Sequence, residues 1–162
     1  MIGTLATAFI IRRQARLLHT QNQFEALTGL NARWDSLQLL KLRNAWAQNE
    51  GVPSTEAVLE FLEEFAALKD RSVLKKRQFW YSVLGWYAAH YFIYNQDNGN
   101  IGKIREKWGD RSLYGALKGL TSDYLAFEAR EMKERKEEVR ERILRNKDKF
   151  KEDEQRRYEL CL

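Results

Sequence analysis

The chain is 162 residues long, enough for one domain with a proper core, and its net charge of +5 is diluted by acidic residues throughout, which allows polyanion binding without indicating it. A single cysteine, Cys161, excludes an intrachain disulfide and a cysteine-based zinc site and fits a reducing compartment. One proline and nine glycines leave little turn punctuation, which favours long helices over many short strands.

The chain begins with an apolar run, Met1–Ile11, followed by Arg12, Arg13 and Arg16. About ten apolar residues are too few to cross a bilayer, which needs about 20. The charges follow the run, whereas in a signal peptide they precede it. Three readings stand: the first turns of an amphipathic helix docked on the core, the cytoplasmic end of a membrane span, or an interfacial anchor touching a membrane through residues 1–16. Ile10, Leu17, Phe24 and Leu27 repeat at helical spacing, which predicts a helix from about Leu5 to Leu27 that ends near Gly29. Residues 1–30 are thus an N-terminal amphipathic or membrane-proximal helix.

Residues 31–122 read as a helical core. Trp34, Leu37, Leu40 and Trp46 share a face, so a helix is expected over Ala32–Gln48. Gly51, Val52 and Pro53 break it, and Ser54 is a good N-cap for the next. That helix has an inner stripe of Val58, Leu59, Phe61, Leu62, Phe65, Ala66 and Leu68. Glu60, Glu63 and Glu64 fall on its solvated part, within reach of Lys75, Lys76 and Arg77 as pairing partners.

The apolar stretch Phe79–Tyr94 then carries eight aromatic residues and is interrupted only by Ser82, Gly85 and His90, none of them charged. A helix apolar on every side must be enclosed. At roughly 24 Å it is short for a membrane span, and its tyrosines need hydrogen-bond partners that hydrocarbon lacks. It is therefore expected to be the central helix of the bundle.

A polar loop, Asn95–Gly102, is expected next, then a short helix Ile101–Trp108 stopped by Gly109. Asp110 is placed to cap a helix over Arg111–Leu120. Thr121, Ser122 and Asp123 offer the cap of a last, charged helix over about Asp123–Glu159, within residues 123–162. Leu125, Ala129, Met132, Lys136, Val139, Ile143, Asn146 and Phe150 form a heptad-like seam along it, spoiled by Lys136 and Asn146. This helix is expected to extend from the core and to offer a surface for self-association or a protein partner.

Candidate chemistry is sparse. Asn95, Asp97, Gly99 and Glu106 fall at calcium-loop positions, but Asn100 stands where the sharp turn wants glycine and Gly102 where a branched apolar residue belongs. A polar loop is the plain reading. His90 reads as a core histidine bonded through one ring nitrogen; a ligand or proton-transfer role requires a cavity that reaches it. His19 has no ligating partner one turn away, and Glu60, Glu63 and Glu64 lack the Glu-x-x-His spacing of diiron bundles. Gly115 and Gly119 suggest close helix packing. There is no P-loop, G-x-G-x-x-G, H-E-x-x-H or G-x-S-x-G motif, and Cys161 has no histidine near it in sequence. No catalytic, cofactor-binding or metal residue is assigned, and no cofactor is expected.

The apolar start with Arg12-Arg13-Gln14, the segments Leu42–Ala47 and Val58–Leu74, the aromatic stretch and Arg105–Tyr114 follow one another in an order that resembles the DUF4760-type family of bacterial helical proteins. The likeness covers about Ile10 to Tyr124. It implies an all-helical domain near a membrane and transfers no functional residues; the short apolar start and the long charged end depart from the pattern. The expectation is an all-α bundle around a central aromatic helix, acting as a non-catalytic interaction or scaffold protein at the cytoplasmic face of a membrane. The alternative is a nucleic-acid-binding protein that uses the positive charges of its first and last helices, interleaved with Trp34 and Trp46.

Overall fold

The structure is a computed structural model that describes residues 14, 18, 21, 22, 25, 28–49, 51–70 and 84–162, with backbone alone at 69 and 70. The apolar start, His19, the proposed pairing with Lys75–Arg77 and residues 79–83 of the aromatic stretch lie outside them. The described part is all-α, with no strand among the described residues. No helix among them is long and apolar enough to cross a membrane. The chain divides into two compact units, 1–35 and 36–162.

In the first unit the described residues up to Trp34 are helical, and Gln21 donates to Glu25 one turn on at 3.1 Å. The helix does not end near Gly29 as expected. It runs through Gly29 to Trp34, so the helix expected over Ala32–Gln48 is broken at Asp35 and Ser36. The Ser36 hydroxyl accepts from the Leu39 N–H at 3.4 Å, an N-cap that starts a new helix.

The second unit contains seven helices among its described residues: α1 Leu37–Asn49, α2 Val52–Asp70, α3 Leu84–Asp97, α4 Asn100–Trp108, α5 Gly115–Met132, α6 Lys136–Arg145 and α7 Lys147–Glu159. Helix α3 is the described part of the aromatic stretch and is enclosed. From Leu84 to Asn95 every residue but Trp86 is buried, and α2, α4, α5 and α6 pack around it. Helix α7 completes the enclosure. Its Phe150 lies with ring centroids 5.2–6.2 Å from Trp46, Trp86, Tyr87, His90, Tyr91 and Tyr94. Aromatic contacts of this kind add to plain area burial.

Two buried polar clusters lock α3 to its neighbours. Arg43 on α1 donates two hydrogen bonds to Glu154 on α7, at 2.5 and 2.9 Å, and Tyr91 donates to the same carboxylate at 2.8 Å. Both charged side chains are 1% exposed. Burial alone would lower the Arg43 pKa, but its bonds to Glu154 raise it, so the guanidinium stays charged. In the second cluster the Asn95 side-chain oxygen accepts from Trp46 at 3.0 Å, from Asn100 at 3.3 Å and from Thr55 at 3.4 Å. The Asn95 amide nitrogen donates to the Tyr91 carbonyl at 2.7 Å. Asn95 is therefore a core hydrogen-bond hub and not a loop residue. The polar loop expected over Asn95–Gly102 shrinks to Asn98 and Gly99, with Gly99 in the left-handed region at φ 78°.

Several other expectations are corrected. Ser54 is not an N-cap: α2 begins at Val52, with Pro53 in the first turn where its missing N–H costs nothing, and the Ser54 hydroxyl donates to the Gly51 carbonyl. The inner stripe of α2 is buried as expected save for half-buried Leu68, whereas Leu37 on α1 is exposed. Helix α4 stops at Gly109, at φ 66°, as expected. Asp110 caps a turn, accepting from the Ser112 N–H at 2.7 Å, and helix α5 begins only at Gly115. Thr121 does not start a new helix: its hydroxyl donates to the Leu117 carbonyl at 2.8 Å and α5 runs on to Met132. A Cβ on Gly115 or Gly119 would meet nothing within 4 Å, so these glycines mark no close helix crossing.

The long charged C-terminal helix is instead three pieces. Lys133 takes a left-handed φ of 56° and Arg135 an extended conformation, where the Glu138 carboxylate accepts from the Arg135 N–H in a capping interaction that starts α6. A second bend at Asn146 separates α6 from α7. The bends fold the segment back onto the core, so it belongs to the 36–162 unit and does not extend from it. The seam residues Val139, Ile143 and Phe150 face inward and are buried, while Met132 and Asn146 are exposed.

Candidate functional site

Trp86, His90 and Tyr94 are spaced four residues apart, so they fall on one face of α3. That face forms one wall of a cleft of about 260 Å³. Tyr124 and Glu128 of α5 and Val139, Arg142 and Ile143 of α6 form other walls. Phe150 of α7 closes the base, with Asn146, Lys149 and Asp153 around it. The back-folding of α6 and α7 creates the cleft.

His90 is its centre. The ring is stacked on Phe150 at 5.3 Å and 10°, and Trp86 lies against it at 4.0 Å. Nδ1 lies 2.7 Å from the Trp86 carbonyl. A carbonyl only accepts, so Nδ1 carries the hydrogen and Nε2 is left as a bare acceptor on the opposite edge. Burial pushes the His90 pKa down to about 4, the bond to Trp86 opposes this, and the Arg142 charge adds to it. The imidazole is thus neutral at pH 7, and Nε2 makes no hydrogen bond to a described residue while still touching solvent.

The other hydroxyls of the cleft and its guanidinium are committed to the protein. The Tyr94 hydroxyl donates to the Ile143 carbonyl at 2.8 Å. Tyr124 is hydrogen-bonded to Glu128. Arg142 donates to Glu128 at 3.2 Å and to Glu134 at 3.3 Å. Burial pushes the phenols of Tyr94 and Tyr124 up, with the charges of Asp148 and Glu128 adding to it, so both remain protonated donors. Lys149 and Asp153 have no ion-pair partner among the described residues. Nor do any three His, Cys, Asp or Glu side chains gather closely enough among them to hold a metal ion.

Of the residues weighed in the sequence, His90 is a core histidine bonded through one nitrogen, and it also borders a cavity. Asn95 and Asn100 are buried between helices, which removes the calcium-loop geometry. Glu63 is not simply solvated: its carboxylate accepts from the N–H groups of Ala116 and Leu117 at 3.1 and 2.6 Å and caps α5. Glu56 accepts from Lys107 at 2.8 Å and from the Trp108 indole, which lower its pKa. Cys161 is exposed. Tyr124, Glu128 and Arg142 were not legible as site residues, because the loop that brings α6 back against α5 looks like uninterrupted helix. Compared with known protein families, curated proteins and solved structures, the chain finds no match in any of the three.

Proposed function

We propose that this chain is a helical interaction protein that binds at the His90 cleft and performs no chemistry on what it holds. The observation that carries this reading is an open acceptor, His90 Nε2, on the wall of a cleft whose hydroxyls and guanidinium are already spent on internal bonds. General acid–base work needs at least one group free to move a proton near the operating pH. A histidine with a pKa near 4 is a poor proton carrier at pH 7 but a good fixed acceptor. Half of the lining residues are aromatic or aliphatic and the other half polar or charged, so the cleft can hold an apolar body while fixed polar groups orient it.

The test is nuclear magnetic resonance shift mapping of the whole chain against a chemically diverse fragment set. Shifts concentrated on Trp86, His90, Tyr124 and Ile143 support the reading. A response confined to other exposed apolar residues, such as Trp108 or Met132, overturns it.

A further inference from the structure

We propose that the cleft receives a flat aromatic ring bearing one N–H or O–H donor, of the indole or phenol class, whose hydrogen meets the free Nε2 of His90. This rests on the reading of the cleft as a binding site and names what it binds.

Three features fix the chemistry. The bond from Nδ1 to the Trp86 carbonyl sets the tautomer, so the cleft offers an acceptor and selects a donor. Trp86, Tyr94, Tyr124, Val139, Ile143 and Phe150 supply flat or apolar surface within a lining whose other half is polar or charged. At about 260 Å³ the space lies just under the roughly 300–1,000 Å³ of sites for drug-sized ligands, which suits a single or fused ring.

Charge points to a neutral ring. The imidazole is uncharged at pH 7. On the cleft wall Arg142 is offset by Glu128. Lys149 and Asp153 bring one charge of each sign to the same border. An anion would gain no net field there, and a cation would gain none either.

The same chemistry reaches a cleft in two ways, as a free small molecule or as the tryptophan or tyrosine side chain of a partner. Calorimetric titration of the full chain at pH 7 with indole, N-methylindole, phenol and anisole tests the donor. Covering Nε2 without meeting it is expected to weaken the methylated member of each pair about tenfold or more. The His90 Nε2 resonance is expected to shift with indole and to stay in place with N-methylindole. In His90→Phe, checked for folding by its melting transition, the preference within each pair is expected to vanish. Gly-Trp-Gly binding as well as indole assigns the ring to a partner's side chain; indole binding tenfold better assigns it to a small molecule. Equal binding within the pairs overturns the proposal, as does no binding of any ring at millimolar concentration. If the rings fail while other fragments still shift the cleft residues, the binding site stands and this ligand class falls. If nothing shifts those residues, both fall.

Discussion

His90 titrates against the fold. Its pKa is near 4 in the folded chain and about 6.5 when exposed, so protonation favours unfolding. Its contribution is complete above about pH 6.5 and is lost as the pH falls toward 4. The loss is about 2 kcal/mol at pH 5 and about 3 kcal/mol at pH 4. Urea unfolding at pH 7 and pH 5 should show this fall in the wild type, and His90→Phe should be nearly flat between them; an equal fall in both would assign the titration elsewhere. The second residue-scale case is Arg43. Arg43→Met strands the buried charge of Glu154 and is expected to cost about 3–5 kcal/mol. Removing the whole cluster, with Arg43→Met, Glu154→Met and Tyr91→Phe together, is expected to recover most of that in urea midpoints. A triple variant no more stable than the single would show that the ion pair itself contributes the stability. The sequence hid this pair because its members stand 111 residues apart on segments that look solvated.

Among the elements, α5 shows best how local rules were overridden. Thr121, Ser122 and Asp123 are cap-forming residues, yet Leu117, Leu120, Thr121 and Tyr124 make a continuous buried face that carries the helix past them. The start is held from outside, by Glu63 on α2, which no local pattern could announce. Gly119 sits exposed in the second turn of this helix with open space where a side chain would go. Gly119→Ala is expected to stabilise by about 0.5–1 kcal/mol, read as a rise in melting temperature. A drop would mean that some contact needs that position bare. Where a local signal had no competitor it was legible: Gly109 ends α4, and the inner stripe of α2 faces the core.

For the 36–162 unit, the all-α class and the enclosed aromatic helix were readable from composition and apolar runs. The fold-back of its charged segment was not, because the turns at Lys133–Arg135 and Asn146 contain no glycine or proline. Tertiary burial of Val139, Ile143 and Phe150 outweighs helical continuity there. The candidate site depends on that fold-back and was hidden with it; only His90 stood out beforehand. Deleting residues 147–162 removes Phe150 and Glu154 together and leaves Arg43 buried without its carboxylate. The shortened chain is expected to lose its cooperative thermal transition by circular dichroism. Retention of a sharp transition would show that α7 is dispensable to the core.

Phe150 has one more implication, for synthesis on the ribosome. Tyr91 must wait for Glu154, 63 residues downstream, and the rings around it for Phe150. At roughly 5–20 residues per second that interval lasts about 3–13 seconds. During it the nascent chain displays its stickiest surface with no lid, so chaperone capture at that stage should govern the yield of folded product.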